Sequence, residues 1–286
     1  MDHRAPSSQE QSEETAPTGS TADPASTASP GRVAKLTARL IGLLPVAAVF
    51  LVIALSLDAL EDLYEAVQAG GEAQRIDGPV HAWMLAQRTV WLNTVVTGFT
   101  HLGGTIGMPI LAGTTIIVFT WWWRTRTPLV LMVVAVAGSL FLTTQGKTMT
   151  GRARPPLTEA VPPFEHSPSF PSGHTLNTFV IATVLAYLVL LYVRSRRGRV
   201  LTLTGLAVFS VLMGTSRIYL GHHWLTDVLA GAVTGTAWAL AACIGHWIYV
   251  RLRTRHRASS VREIAQEHRH EVSRRRHQPS HEALPH

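Results

Sequence analysis

The sequence predicts an all-α polytopic membrane protein, a bundle of six transmembrane helices between disordered termini. Hydrophobic residues make up 47% of the 286 residues, and charged residues only 15%. The apolar residues are grouped in blocks of roughly 16 to 24, the length that a helix needs to cross a hydrocarbon core of about 30 Å. Most arginines lie in short segments beside these blocks, as is typical of membrane proteins.

The six predicted crossings follow one another between residues 36 and 250. They are residues 36–57, 102–123, 129–144, 175–193, 200–213 (which can extend to 220) and 224–250. The second crossing ends in "TWWWR", an aromatic and basic anchor of the kind found at membrane interfaces. Residues 78–96, "GPVHAWMLAQRTVWLNTVV", are predicted to form one amphipathic helix at the interface.

Both ends of the chain differ in composition from this central part. Residues 1–33 are rich in Ser, Thr, Ala, Pro and Glu and contain few large apolar side chains, so they cannot bury enough surface to order. Residues 253–286 are basic and His-rich. We therefore predict a disordered N-terminal segment (1–33), a six-helix domain (34–252) and a disordered tail (253–286).

The net charge of +7 reflects membrane topology rather than a nucleic-acid partner, because the basic residues flank apolar blocks. Basic groups precede the first crossing and follow the second, fourth and sixth, which six crossings place on one side. That side is the cytoplasm by the positive-inside rule. We expect a multi-pass protein of the plasma membrane, with both termini in the cytoplasm.

One group of cations breaks this rule and falls on the external face. It consists of Lys147, Arg152, Arg154 and Arg217. Cations there do not assist insertion, so they need another reason, and the functional site is predicted at this face. Arg152 is interpreted separately, as an interfacial anchor or a contact to a substrate headgroup.

Three polar segments are predicted to meet at the external face. They are "KTMTGRARP" (147–155), "PSGH" (171–174) and "SRIYLGHHWLTD" (216–227). Converging cations repel one another unless an anion joins them, and the arginine fork fits phosphate oxygens. The N–H groups of residues 172–174, at a predicted helix start, would point at that anion, and Gly173 would allow it to come close. Phosphate is the predicted ligand.

The adjacent histidines His222 and His223 differ in their spacing from Asp227. A helix that starts near His222 places His223 and Asp227 on one face, one turn apart, while His222 points away. The carboxylate can orient the His223 ring and leave Nε2 as a nucleophile. His174 can then protonate the leaving oxygen, which suits phosphoryl transfer without a metal.

Three further histidines are predicted to lie outside this chemistry. His101, within "THLGGTIG", is interpreted as a hydrogen-bonded packing residue. His81 and His166 lie in external segments and are interpreted as solvated.

The pattern K-x6-RP, PSGH and SR-x5-H-x3-D resembles the type 2 phosphatidic acid phosphatase (PAP2) superfamily, which includes vanadium haloperoxidases and bacterial acid phosphatases. Every motif position matches, and the resemblance covers about residues 35 to 250. It implies the six-helix layout of the membrane branch, a phosphorylated nucleophile at His223 and an acid at His174. The predicted substrate-binding residues are Lys147, Arg154, Ser172, Gly173 and Arg217, with Asp227 orienting His223.

The predicted function is hydrolysis of a lipid phosphate monoester or diphosphate at the extracytoplasmic face, through a phosphohistidine. No cofactor or metal is predicted, and the partners are the lipid phosphate and membrane lipids. Undecaprenyl diphosphate, phosphatidate and phosphatidylglycerophosphate present the same phosphate, so the sequence does not choose among them, nor does it give the oligomeric state. Two alternatives stay open: a vanadium-dependent haloperoxidase-like enzyme, and a catalytically silent lipid-phosphate binder or transporter.

Overall fold

The computed structural model describes residues 71–276 continuously and, before them, helical positions 47, 50, 51, 53–55, 58, 61, 62, 64, 65 and 67. The chain divides into two units after Leu44, and all of these residues belong to the second unit. The predicted N-terminal segment 1–33 and most of the first predicted crossing, 36–57, lie outside the described residues.

Every regular element in the part of the chain that the structure describes is helical. The helices are α1 (Glu72–Ala86), α2 (Val90–Thr100), α3 (Gly107–Trp123), α4 (Thr127–Thr150), α5 (Gly173–Tyr192), α6 (Arg196–Tyr219) and α7 (Leu225–Arg276). Two 3-10 turns, His101–Gly103 and Leu157–Glu159, lie between them. The predicted all-α class is confirmed.

Four of the described helices are long and apolar enough to cross a membrane: α4, α5, α6 and residues 225–251 of α7. A fifth span is formed if α2, with its 3-10 turn, and α3 count as one crossing, and this pair is bent by 51°. The described residues thus contain four or five candidate spans. A total of six spans stays a prediction, because the first predicted crossing, 36–57, lies largely outside the described residues.

The predicted single interfacial helix over residues 78–96 is wrong, because α1 ends at Ala86 and α2 begins at Val90. Arg88, in the break, donates from Nε to the carbonyl of Tyr219 at 2.7 Å and from Nη1 to the carbonyl of Glu159. Thr89 is extended, with φ −135° and ψ 155°. The hydrogen bond from Arg88 to the end of α6 stabilises a turn here. The amphipathic spacing alone favoured a continuous helix.

Helix α5 is the centre of the packed core. One of its faces is buried at intervals of about one turn, by Leu176, Val180, Val184 and Leu188. This face packs in one cluster with side chains of α4 and α7, among them Met132, Ala135, Ala239 and Cys243.

Glycines bring α7 unusually close to α5. A Cβ on Gly231 would lie 2.7 Å from the carbonyl oxygen of Ser172, and one on Gly235 would lie 2.5 Å from that of Leu176. Only glycine avoids a backbone clash at these distances, as in close helix pairs within membranes. The close approach fixes the N-terminal ends of α5 and α7 side by side, and both ends carry predicted site residues.

Helix α7 continues to Arg276, well into the predicted tail. Residues 251–276 contain no Gly or Pro and many Arg, Glu, Gln and Ala, which are good helix formers. The disordered tail predicted from residue 253 is therefore helical as far as Arg276 in this structure. The domain boundaries of the sequence analysis stay predictions.

Candidate active site

The three predicted segments meet at one end of the bundle. Lys147 lies in the last turn of α4, Arg154 in the loop that joins α4 to α5, Ser172 to His174 at the start of α5, Arg217 in the last turn of α6, His223 in the bend before α7, and Asp227 in the first turn of α7.

His223 and Asp227 form a buried pair, although α7 begins at Leu225 and not near His222 as predicted. His223 Nδ1 lies 3.5 Å from Asp227 Oδ2, and the two side chains are 1% and 0% exposed. The pair forms because Asp227, the third residue of α7, reaches back to accept from the N–H of Trp224 at 3.0 Å, as in a capping box. The helix start therefore places the carboxylate behind the imidazole.

The contacts of His223 fix its tautomer. Arg154 Nη1 lies 3.1 Å from His223 Nε2, and a guanidinium can only donate, so Nε2 is an acceptor and the proton is on Nδ1. Burial, with the charges of Arg154 and Arg217, lowers the pKa of His223 well below its usual 6.5. The ring is neutral near pH 7, and Nε2 carries the lone pair that a nucleophile needs.

Ser169, which the sequence analysis missed, completes this pair. Its hydroxyl donates to Asp227 Oδ2 and lies 3.4 Å from His223 Nδ1. Ser169 is fully buried within "SPSFPSGH", where serine is also an ordinary turn residue. Nothing in its spacing distinguishes it from its neighbours.

A second missed residue, Glu165, occupies the centre of the cationic cluster. Its carboxylate accepts from Arg217 Nη2 and lies 2.8 Å from Arg154 Nη2. Burial alone would raise the pKa of Glu165, but the positive charges of Arg217 and Arg154 oppose it, and the pKa is lowered to about 2. The convergence of cations predicted a bound anion, and in this structure the carboxylate of Glu165 occupies that place.

Three histidines surround the same carboxylate. Glu165 Oε1 lies 4.0 Å from His174 Nδ1 and 3.8 Å from His222 Nδ1, and Oε2 lies 3.9 Å from His223 Nε2. An anion in this place is therefore within reach of both predicted catalytic histidines. A glutamate in a Pro-rich loop gives no sequence signal of this position.

Lys147 reaches the loop that carries Glu165 rather than its carboxylate. Nζ donates to Ser167 Oγ at 2.8 Å and to the carbonyl of Pro168 at 2.6 Å. Arg154 also donates from Nε to the carbonyl of Ser167 at 2.7 Å. Two of the predicted cations therefore hold this loop over the site, and Lys147 lines the same cavity as the histidines.

Ser172 does not offer its N–H to the site as predicted. It stands at the N-cap of α5, but its N–H donates to the carbonyl of Asp227 at 3.0 Å, and its hydroxyl accepts from Thr175 at 3.0 Å. Ser172 links the starts of α5 and α7, and a contact of its hydroxyl with substrate stays a prediction. Gly173 and His174 line the cavity.

His222 bridges Arg217 to the loop that joins α4 to α5. Its Nδ1 accepts from Arg217 Nη2 at 2.6 Å, and its Nε2 donates to the carbonyl of Val161 at 2.7 Å. Burial, followed by the charge of Arg217, lowers the pKa of His222 to about 4. His222 is therefore a neutral packing residue directed away from Asp227.

Arg152 is neither an anchor nor a headgroup contact, so its sequence interpretation is wrong. Its side chain is 12% exposed and lies between two buried carboxylates, Asp227 at 2.5 Å and Asp77 at 2.6 Å. Asp77 comes from α1 and also accepts from the N–H and hydroxyl of Thr226, at 2.9 and 2.6 Å. Asp77 is far from the motifs in sequence, so spacing could not reveal it.

Of the three histidines set aside above, two differ from expectation. His81 is buried, and its Nε2 lies 2.9 Å from Glu159, so it is not solvated. His101 is exposed on the 3-10 turn and lines the cavity, so it is not a packing residue. His166 is exposed, as predicted.

A cavity of about 1130 Å³ begins at the histidines and extends between helices. His174, Arg217 and His223 line its polar end. Apolar side chains line the rest, among them Met108, Ala112, Val136, Leu140 and Ile181. Its size and lining suit a ligand with a charged head and a hydrocarbon chain. In residues 71–276 and the described positions before them, no group of three or more His, Cys, Asp or Glu is placed to hold a metal ion.

Known proteins are similar to this chain in sequence and in structure. The sequence model of the PAP2 superfamily matches residues 128–251. Phosphatidylglycerophosphatase B of Bacillus subtilis is 34% identical over 154 residues, which cover 52% of this chain and 72% of that protein. The putative undecaprenyl-diphosphatase YbjG of Escherichia coli is 31% identical over 159 residues, covering 52% of this chain and 74% of that protein.

A solved structure is also similar, that of a transmembrane PAP2-type phosphatidylglycerolphosphate phosphatase from Bacillus subtilis. It has a TM-score of 0.62 and 28% identity, and the match covers 66% of this chain and 93% of that one.

Proposed function

The chain belongs to the PAP2 superfamily and is a membrane phosphatase of that type, and from this premise we propose the finer reaction. The protein hydrolyses a phosphate monoester or diphosphate of a lipid, through a phosphohistidine on His223, at the extracytoplasmic face. One observation carries the proposal. The carboxylate of Glu165 lies between Arg154 and Arg217, 3.9 Å from the unprotonated Nε2 of His223.

In the first half-reaction, the substrate phosphate takes the place of the Glu165 carboxylate. Nε2 of His223 attacks phosphorus and the bond to the leaving oxygen breaks. His174, which must be protonated once the substrate phosphate is bound, gives that oxygen a proton. Arg154 and Arg217 neutralise the phosphoryl oxygens, and Lys147 adds a third positive charge. Asp227 accepts from Nδ1–H and stabilises the charge that the imidazole acquires.

In the second half-reaction, water cleaves the phosphohistidine. His174, now neutral, removes a proton from the water as it attacks phosphorus, and the Nε2–phosphorus bond breaks. Inorganic phosphate leaves, and both histidines return to their starting states. Nothing in this cycle requires a metal.

The cavity supports a lipid as the substrate. A water-soluble phosphate would need only its polar end, whereas the apolar remainder can hold a hydrocarbon chain beside His174. The test is phosphate release by the detergent-purified protein, in EDTA, from phosphatidylglycerophosphate, undecaprenyl diphosphate, undecaprenyl phosphate and phosphatidate. We expect release from at least one of them. Absence of release from all four, or bromide oxidation in vanadate instead, would overturn the proposal.

Glu165 must leave before phosphate can bind, so removing its charge should favour anions. We expect Glu165→Gln to lower the inhibition constant of orthovanadate by about tenfold, equivalent to about 1.4 kcal/mol. Since the pKa of Glu165 is about 2, the carboxylate competes at every pH from 5 to 8.

Glu159→Gln is the matched control for this experiment, because Glu159 pairs with His81 and lies outside the cationic cluster. Vanadate inhibition of this variant should equal that of the wild type. Weaker inhibition of Glu165→Gln than of the wild type would show that the carboxylate assists anion binding instead of opposing it.

The topology can be tested with an introduced thiol. Cys243 is the single cysteine and is buried, so background labelling should be low. Thr158→Cys, at an exposed position of the external loop, should react with a membrane-impermeant maleimide in intact cells. Arg197→Cys, at an exposed position in the first turn of α6, should react only after lysis. The reverse pattern would place the site in the cytoplasm.

A further inference from the structure

We propose that Asp77 and Arg152 are positioning residues that act on His223 through Asp227. Arg152 donates to the carboxylate of Asp227 and fixes its position. Asp77 adds a second negative charge beside Arg152, so that Arg152 does not fully neutralise the carboxylate that faces the imidazole. The inference rests on the proposed phosphohistidine reaction.

Arg152 is shared between two carboxylates. Nη1 donates to Asp227 Oδ1 at 2.5 Å, and Nη2 donates to Asp77 Oδ2 at 2.6 Å. Both carboxylates are fully buried. The other oxygen of Asp227, Oδ2, is the one that faces His223. The guanidinium therefore fixes the carboxylate through Oδ1, while Oδ2 accepts from Ser169 and Trp224 and faces the imidazole.

The second carboxylate changes the charge of the group. Asp227 and Arg152 alone would sum to zero, and a buried neutral pair offers little to a cationic ring. Asp77 contacts the same guanidinium, and when both carboxylates are ionised the three side chains carry one positive and two negative charges. The net negative charge lies behind His223, where it opposes the positive charge that forms when Nε2 bonds to phosphorus. Asp77 thus supports the step without contacting the phosphate.

Asp77 is also placed to orient the first turn of α7. It accepts from the N–H of Thr226 at 2.9 Å and from its hydroxyl at 2.6 Å, and Arg152 Nη1 donates to the same hydroxyl at 2.7 Å. Thr226 directly precedes Asp227. The network is closed and buried, so loss of one member should be felt by all. Asp77 lies outside residues 128–251, the part that matches the superfamily.

The test is steady-state and rapid-quench kinetics of Asp77→Asn, which removes a charge with little change of shape. We expect kcat to fall about 10- to 100-fold, which is the usual loss when a residue that orients a metal-binding side chain is replaced. KM should change less than about threefold, because Arg154 and Arg217 still bind the phosphate. The rate of phosphohistidine formation in a single turnover should fall together with kcat. Glu159→Gln, which replaces the carboxylate that contacts His81 of α1, is the control and should keep the wild-type kcat.

Double variants separate a shared role from two independent ones. If Asp77 and Arg152 act through one carboxylate, the Asp77→Asn/Arg152→Gln variant should lose about as much kcat as Arg152→Gln alone. Losses that multiply would overturn the inference. Should Asp77→Asn fail to fold, Thr226→Val removes one neutral hydroxyl from the network. It should lower kcat about 3- to 10-fold at unchanged KM, and an unchanged kcat would count against the proposal.

The remaining outcomes distinguish this inference from the proposed function. Wild-type turnover with an unchanged kcat in folded Asp77→Asn would overturn the inference alone. A rise of KM with kcat intact would also overturn it, since Asp77 would then act on binding. A wild-type protein that releases phosphate from no lipid would overturn the proposed function, and the inference with it.

Discussion

His223→Ala should lose on the order of 10⁴-fold or more in kcat, because it removes the atom that bonds to phosphorus in the proposed mechanism. Nε2 of His223 is the unprotonated imidazole nitrogen beside the Glu165 carboxylate, and its ring is held by Asp227 from the other side. No neighbouring side chain can take over from it, since His222 has both ring nitrogens engaged elsewhere. The measurement is phosphate release from the best lipid of the panel, together with trapping of the phosphohistidine at acid quench.

His222→Ala is a matched control, because it removes an equally buried imidazole from the neighbouring position. This variant should keep turnover within about tenfold of the wild type. It should lose about 1 to 3 kcal/mol of stability, since the carbonyl of Val161 and one N–H of Arg217 lose their partner. If folded His222→Ala is inactive while His223→Ala still turns over, the assignment of the nucleophile is wrong.

His174→Ala should lose about 10²- to 10⁴-fold with a lipid substrate, the usual range for a general acid. The loss should be much smaller with an aryl phosphate, whose leaving oxygen needs no proton. The place of the leaving group is indicated by packing. A Cβ on Gly104 would lie 3.4 Å from His174 Nε2, so glycine keeps open space beside that nitrogen. Parallel assays with lipid and aryl substrates measure the difference.

Equal losses of His174→Ala on both substrates would contradict the role as acid to the leaving group. They would indicate instead that the ring serves to bind the phosphate or to activate water in the second half-reaction. Single-turnover experiments separate these two, because only the second half-reaction follows formation of the phosphohistidine.

The sequence predicted the parts of the site that motif spacing encodes. These residues do converge, because each lies at the end of an apolar helix or within a few residues of one, and the ends of successive helices meet. They are Lys147, Arg154, His174, Arg217 and His223. The pairing of His223 with Asp227 was also predictable, although the helix starts later than expected. The four-residue separation places the two side chains together both in a regular helix and in a capping box.

The residues that the sequence did not reveal are those whose place depends on long-range contacts. Asp77 lies on α1 outside any recognisable motif, and Glu165 and Ser169 lie in a Pro-rich loop without periodicity. Arg152 was noticed but misinterpreted, because a basic residue near a helix end is ordinarily an interfacial anchor. Its two buried partners come from residues about 75 positions away in either direction, and no local pattern records such a pairing.

The loop position of Glu165 has a consequence for the rate at which product leaves. Inorganic phosphate, once formed, occupies a site rich in arginine and could bind tightly enough to limit turnover. A tethered carboxylate competes with it at an effective concentration that does not depend on the surrounding solution. Each time the phosphate loosens, Glu165 can return to Arg154 and Arg217 and prevent rebinding. In the proposed mechanism this return shortens the residence time of the product, so that the enzyme is expected to stay available for the next lipid even where free phosphate is abundant.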